Sequence, residues 1–443
     1  MSTFDTAHRT TAEAPVTLGE APPRILGLRE SVGLWGNLGI SLLLPVAATF
    51  VVLANRSLWV TVLAIVVGAV IGSVLLGLGA AAGAREGVPA MVLLRGLLGH
   101  RVSYLPTAFN LVQCVGWATF EIVVIAEAAS RVLDAPRWPF VLAAGAAATL
   151  MALRPLGVVR VLARYAVWAS LAAVVYLFVQ VLTEPLPQVT DGGAASFWTA
   201  VDIVIALPVS WFPLAADYSR HVRGARPAFV GAAAGYGVAT VAFFVLGALA
   251  LAAYGAAGLD VIDALLAVPL GAVAVLLLVV VEVDEAFANI YSTAVSSQNL
   301  AARLDRRVLA AVVGAVATVL ALTLDIASYE PFLFLIGAVF VPLVGVFAVA
   351  YYLRPHGTWE VADGAPARPL LLLAWVAGFV AYQLTLPTLF FTTGRGWTQW
   401  WTDRQQDLGI DPANGWSASL VSLAVAGTLA ALVSLPRLIR RRP

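Results

Sequence analysis

Twelve apolar stretches divide the chain, near residues 31–54, 58–82, 103–130, 138–153, 161–183, 197–217, 228–254, 265–298, 308–327, 331–353, 369–390 and 417–435. Each reaches about 17 residues or more, the length a helix needs to cross the hydrocarbon of a bilayer. The pattern predicts an all-α polytopic membrane protein of 12 transmembrane helices. Between them the connections are short and polar, and no stretch reads as a separate soluble domain. The segment 83–101, "GAREGVPAMVLLRGLLGHR", is too short and too charged to span twice and reads as one cytoplasmic amphipathic helix.

Two of the stretches are interrupted by helix breakers. The first reads "SVGLWGNLGISLLLP" (31–45), with Gly33, Gly36, Asn37 and Gly39 ahead of Pro45; the sixth reads "IALPVSWFPLAADYSR" (205–220), with Pro208 and Pro213. The third, "NLVQCVGWATFEIVV" (110–124), and the eighth, "VEVDEAFANIYSTAVSS" (281–297), carry most of the remaining polarity. Each pair is five spans apart. Five is odd, so the second member enters the membrane from the opposite side, as in an inverted five-helix repeat with discontinuous first helices. That layout places a substrate and a coupling ion near the bilayer midplane. It divides the chain into a cytoplasmic tail (1–28), a ten-helix core (29–354, with repeats at about 29–183 and 197–354), a linker (355–368), two peripheral helices (369–435) and a basic tail (436–443).

Composition agrees: 61% of residues are hydrophobic and 12% charged, against about half and a quarter in soluble domains. The chain has no lysine. Alternating the connections from a cytoplasmic N-terminus puts 21 of its 26 arginines on the cytoplasmic side, as the positive-inside rule requires. Both termini are then inside, at the plasma (inner) membrane. A single Cys114 excludes an internal disulfide framework. The four histidines fall in the tail or in cytoplasmic connections, which argues against a membrane metalloenzyme with histidine ligands. The Trp-rich connection 391–416 suits interfacial anchoring.

The buried polar residues suggest the chemistry. A carboxylate in hydrocarbon costs about 2.5–3.5 kcal/mol on insertion scales and is a functional candidate by default. If span eight begins near Pro269, Asp284 lies roughly 22 Å along it, near the middle of the bilayer. At 100° per residue Glu282, Glu285, Asn289, Ser292, Thr293 and Ser296 share one broad face, and Asp284 and Tyr291 lie nearly opposite. One face is free for a substrate and the other for an ion. On span three Gln113, Trp117 and Glu121 stack at i, i+4, i+8 spacing. Amide and carboxyl groups can read a heterocycle's edge while an indole covers its ring. The unwound "WGNLGIS" would free backbone carbonyls for a cation, and the broken sixth helix presents Trp211 to the same cavity. In "ADYSR" (216–220), Asp217 is placed to pair with Arg220.

At "GWATFE", "ADYSR" and "DEAFANIYS" the chain resembles the nucleobase–cation symport family of cytosine, hydantoin, purine and allantoin permeases, over about Arg29 to Arg354. The resemblance implies a LeuT-like fold, with ten core helices in two inverted repeats plus two peripheral helices. It also implies symport of a planar N-heterocycle (cytosine, purine, hydantoin, allantoin or hydroxymethylpyrimidine type). Trp117 matches the stacking Trp, Glu121 the neighbouring amide position and Asn289 the substrate-bonding Asn. Asn37 and Ile40 match positions that give backbone carbonyls to the cation. Trp211 lies about three residues from the matching aromatic of span six. Val283 and Asp284 stand where the family's sodium site has hydroxyl residues, so the coupling ion is Na+ or H+. The site expected is thus Gln113, Trp117, Glu121, Trp211, Glu285 and Asn289 for substrate, with Asn37, Ile40 and Asp284 for the cation. No other cofactor, no nucleic acid and no obligate protein partner is expected beside the small molecule and the lipid bilayer. A LeuT-like carrier of amino acids or amines is the alternative and would keep a helix N-terminus free for a carboxylate. An intramembrane enzyme lacks a nucleophile–base pair, and a channel would conduct orders of magnitude faster than a carrier.

Overall fold

A computed structural model describes residues 22–52, 57–153, 155–186, 194, 196–254, 260–355, 357–388, 395–411 and 415–439. Of the expected tails at 1–28 and 436–443, residues 1–21 and 440–443 lie outside them. Most of the described residues are helical, with one isolated bridge between Leu26 and Val222. In chain order the helices are α1 (Leu28–Asn37), α2 (Leu43–Val51), α3 (Leu58–Glu86), α4 (Ala90–Leu93), α5 (Arg95–Leu98), α6 (Tyr104–Leu133), α7 (Arg137–Leu153), α8 (Pro155–Thr183), α9 (Phe197–Ser210) and α10 (Phe212–Ser219). There follow α11 (Ala225–Val230), a π turn (Gly231–Tyr236), α12 (Gly237–Tyr254), α13 (Val261–Ala267), α14 (Gly271–Ser297), α15 (Arg306–Ala321), α16 (Tyr329–Tyr352), α17 (Pro369–Thr385), α18 (Arg395–Asp407) and α19 (Ala418–Ile439).

Among the described residues six helical segments are long and apolar enough to cross a membrane: Leu58–Glu86, Tyr104–Leu133, Phe197–Ser219, Ala225–Tyr254, Tyr329–Tyr352 and Ala418–Leu435. At 27 residues α14 is of similar length, but it carries Glu282, Asp284 and Glu285 midway, all buried. Its start is set by a break: Leu270 takes a left-handed φ of 54°, and α13 ends at Ala267. The apolar run 265–298 is therefore the end of α13, a turn and α14.

Two packing groups position the site. One gathers α14 with α6, α7, α8 and α15; in the other α3 lies along α9, α10, α11 and α12. Small residues make the second possible. A Cβ added at Gly68 would stand 2.7 Å from the Val204 side chain, at Gly72 3.0 Å from Pro208, at Gly79 2.7 Å from Phe212 and at Gly83 2.5 Å from Ala216. This stripe lets α3 close on both halves of the broken sixth span, the small-residue contact that helices in lipid favour.

The segment 83–101 departs from expectation. α3 runs on to Glu86, and the rest forms α4 and α5, whose residues are all buried. Arg95 is held by Asn299 (2.7 Å) and Asp363 (2.5 Å), and Trp359 Nε1 donates to the Leu93 carbonyl (2.9 Å). A surface amphipathic helix was expected because the sequence does not reveal these partners. In the Trp-rich connection, α18 exposes Trp400 and buries Trp401.

The start of the described chain is clamped at the end of α10. Leu26 N–H donates to the His221 carbonyl (3.0 Å), Arg223 N–H to the Leu26 carbonyl (2.9 Å), and His221 Nδ1 to the Pro23 carbonyl (3.0 Å). Burial, with the neighbouring Arg220, pushes His221 down from 6.5 to about 4. A detached His221 would take up its proton near pH 6.5, and the docked one only near pH 4. Docking is therefore favoured fully above pH 6.5 and weakens as pH falls through that window. Hydrogen exchange at the Leu26 and Arg223 amides, corrected for intrinsic rates, is expected to lose protection between pH 6.5 and 4. Protection that stays constant there would contradict the clamp.

Candidate functional site

Between α1 and α2 the first span is unwound from Leu38 to Leu42. Gly39 belongs there because an added Cβ would meet Ala239 at 2.6 Å. The start of α2 is then closed by a side chain from α14. Glu282 accepts from Ser41 Oγ (2.8 Å) and Leu42 N–H (2.6 Å), and Ser41 Oγ accepts from Leu43 N–H (3.1 Å). An anion at a helix N-terminus meets unpaired N–H groups and the positive end of the helix dipole. Glu282 supplies that anion from within the protein.

The sixth span breaks at Trp211, between α9 and α10. Pro213 has no N–H to return to the Val209 carbonyl, so the helical ladder lapses there. Gln113 repairs part of the gap: its Nε2 donates to the Ser210 carbonyl (2.9 Å) and to Asn110 Oδ1 (2.8 Å).

A pocket lies between the two breaks. Trp117, Glu121, Trp211, Glu285 and Asn289 line it, together with Ser41, Ser210, Tyr236 and leucines. Trp117 is held edge-on by Tyr329 (centroids 5.8 Å apart) and Phe332 (5.2 Å) of α16. Trp211 is held by Trp35 (6.1 Å), Tyr218 (6.2 Å) and Tyr236 (6.0 Å). Each indole is thus braced by rings of other helices. Asn289 turns its amide N–H onto the Glu285 carbonyl (3.2 Å), which leaves its oxygen available. Glu121 and Glu285 are nearly fully buried, and each has one carboxyl oxygen without a hydrogen-bond partner.

Beside the pocket, Asn37 at the end of α1 donates through Nδ2 to Asp284. The second oxygen of Asp284 and the amide oxygen of Asn37 are buried without partners. Ile40 is half-buried, and its N–H donates to the Asn37 carbonyl (2.9 Å).

Five of the six residues anticipated for substrate therefore meet in one pocket. Gln113 is not among its lining residues, because its amide braces the break in span six. Asn37 and Asp284 meet directly, with Ile40 in the adjoining unwound stretch. The two-faced view of α14 needs one change. Glu282, placed on the Glu285 face by helical spacing, reaches the unwound first span and does not line the pocket. Asp217 also departs from expectation: its carboxylate accepts from Ala90 N–H (2.9 Å), and Arg220 Nε donates to its backbone carbonyl (3.2 Å). Ser292, Thr293 and Ser296 make structural bonds to Tyr218, the Asn289 carbonyl and Asn110. Tyr236 was missed because it sits in a π turn inside "GAAAGYG", where no periodicity marks it.

A polar pocket between two interrupted helices, inside an otherwise apolar helical bundle, defines a membrane transporter. Residues 24–366 match the family described as permease for cytosine/purines, uracil, thiamine, allantoin, and the chain belongs to it. The fold is that of Mhp1, a nucleobase-cation-symport-1 family transporter. The closed structure with bromovinylhydantoin bound aligns at TM-score 0.67 and 19% identity, covering 94% of this chain and 98% of that one. The inward-facing structure aligns at TM-score 0.70 and 16% identity, covering 97% and 93%. A Na+-coupled sialic acid symporter in a substrate-bound outward-open state shares the fold at TM-score 0.57 and 11% identity, covering 92% and 96%. No curated protein sequence matches the chain.

Proposed function

We propose that this permease is a secondary active symporter that imports a nucleobase or related planar N-heterocycle with Na+ or H+ by alternating access. The observation that carries this reading is the pocket between the two breaks, where two braced indoles, Trp117 and Trp211, accompany Glu121, Glu285 and Asn289. The indoles cover the ring, and the polar groups read its edge. Asn37 and Asp284, with the carbonyls near Ile40, hold the cation; two buried, unpartnered oxygens there suit a small positive ion. Ion binding would tie the unwound first span to α14 and raise substrate affinity, and the coupling is reciprocal. In this reading ten core helices form two inverted repeats, with two peripheral helices after them, in the plasma (inner) membrane and with both termini cytoplasmic.

The amino-acid carrier is disfavoured by one contact. Such a carrier keeps a helix N-terminus open for the substrate carboxylate, and here Glu282 and Ser41 already fill the start of α2.

Replacing Trp117 with alanine tests the reading. Stacking of a base on an aromatic contributes about 1–3 kcal/mol, so ring binding is expected to weaken roughly 5- to 150-fold. Trp117→Phe, which keeps a ring face, should lose less. Binding to purified protein by titration calorimetry measures both, and unchanged affinity in the alanine variant removes Trp117 from the site.

A further inference from the structure

One buried carboxylate serves neither the pocket nor the cation site. Asp202 stands in α9, inside the apolar segment Phe197–Ser219, and is 2% exposed. Its Oδ1 accepts from Ser417 Oγ (2.5 Å) and Ser419 N–H (3.1 Å), and its Oδ2 from Ala418 N–H (2.8 Å). Ser417 Oγ accepts in turn from Leu420 N–H (3.0 Å). The first turn of α19 is therefore capped from another helix, as α2 is capped by Glu282. An anion in that place meets unpaired N–H groups and the positive end of the helix dipole.

The tie closes a frame around the pocket. α19 packs against α16, which carries Tyr329 and Phe332, the two rings that hold Trp117. α9 packs against α16 as well, and it ends at the break that carries Trp211. Trp211 lies roughly 14 Å further along the helix than Asp202. Where α3 meets α9 the contacts are apolar, Gly68 on Val204 and Gly72 on Pro208. Such packing attracts without fixing a register, whereas hydrogen bonds to a carboxylate are strong and directional.

We propose that Asp202 is a positioning residue: tied to the start of α19, it fixes where α9 stands against α16 and so sets the gap between the Trp211 and Trp117 indoles. That this gap receives the substrate rests on the pocket being the transport site. The helices after residue 366, beyond the part of the chain that matches the family, then take part in shaping the site.

Fluorine NMR of the full-length protein labelled with 5-fluorotryptophan tests the placement without a ligand. Trp211→Phe and Trp359→Phe assign two of the lines. In Asp202→Ala the Trp211 line should shift or broaden, while the Trp359 line, from an indole bonded to the Leu93 carbonyl of α4, should stay. Cytosine, uracil, adenine and allantoin are then titrated by calorimetry. Whichever binds the wild type should bind the variant roughly tenfold more weakly. Asp202→Asn keeps the size and one acceptor oxygen, so it should give the same changes at smaller amplitude and decides the matter if the alanine variant does not fold. A Trp211 line that stays in place overturns the proposal, as does an equal change at Trp359, which marks a general loss of structure. A shifted Trp211 line with unchanged ring affinity overturns the link to binding. If no ring binds the wild type the proposed function itself fails, and the Trp211 line still decides what Asp202 positions.

Discussion

Glu282→Ala is expected to reduce uptake by about 100-fold or more in proteoliposomes. The carboxylate accepts two hydrogen bonds at the start of α2, from Ser41 Oγ and Leu42 N–H. Bonds to a charged group contribute about 1.5–3 kcal/mol each, and their loss leaves a buried helix N-terminus without its anion. Half of the broken first span would then lose its tie to α14. Because the missing group is a small carboxylate, added formate should restore part of the activity, whereas a merely misfolded variant would not respond. Uptake within threefold of wild type would show that the tie does not matter for the cycle.

Asp284→Asn is expected to abolish concentrative uptake while leaving ring binding measurable. The substitution keeps the size of the side chain and a partner for Asn37, but it removes the negative charge. An asparagine cannot carry a proton across the cycle and offers a sodium ion only a neutral oxygen. Substrate should then equilibrate across the membrane without accumulating, whichever gradient is imposed. Accumulation that still follows a sodium or proton gradient in this variant would place the coupling site elsewhere.

The two variants also mark what could be read in advance. Apolar run length located the six long apolar helices, because lipid imposes the same demand on each of them. Gly39, Pro208 and Pro213 signalled the broken spans, because breakers act locally. The i, i+4, i+8 spacing aligned Trp117 with Glu121, and both line the pocket. Tertiary contact was the part that stayed hidden. Gln113 has the same spacing, yet its amide goes to a carbonyl that is free only because another helix breaks beside it. Glu282 lies three residues before Glu285, one helical turn apart, and only the position of the unwound first span separates their roles. Segment 83–101 looked like a surface helix because its charges are visible in the sequence, whereas the groups that satisfy them come from residues 299 and 363.

The π turn at Gly231–Tyr236 has a different kind of consequence. It packs against α1, where Gly235 approaches the Val32 carbonyl so closely that an added Cβ would stand 2.7 Å away. A π turn closes i to i+5 and so accommodates one residue more than regular winding. Losing one residue from that turn would restore ordinary winding and leave the helices on either side facing as they do, because the wide turn is what absorbs the extra residue. The wide turn therefore gives this chain a place where its length can change by one residue while α1 and α12 keep their packing.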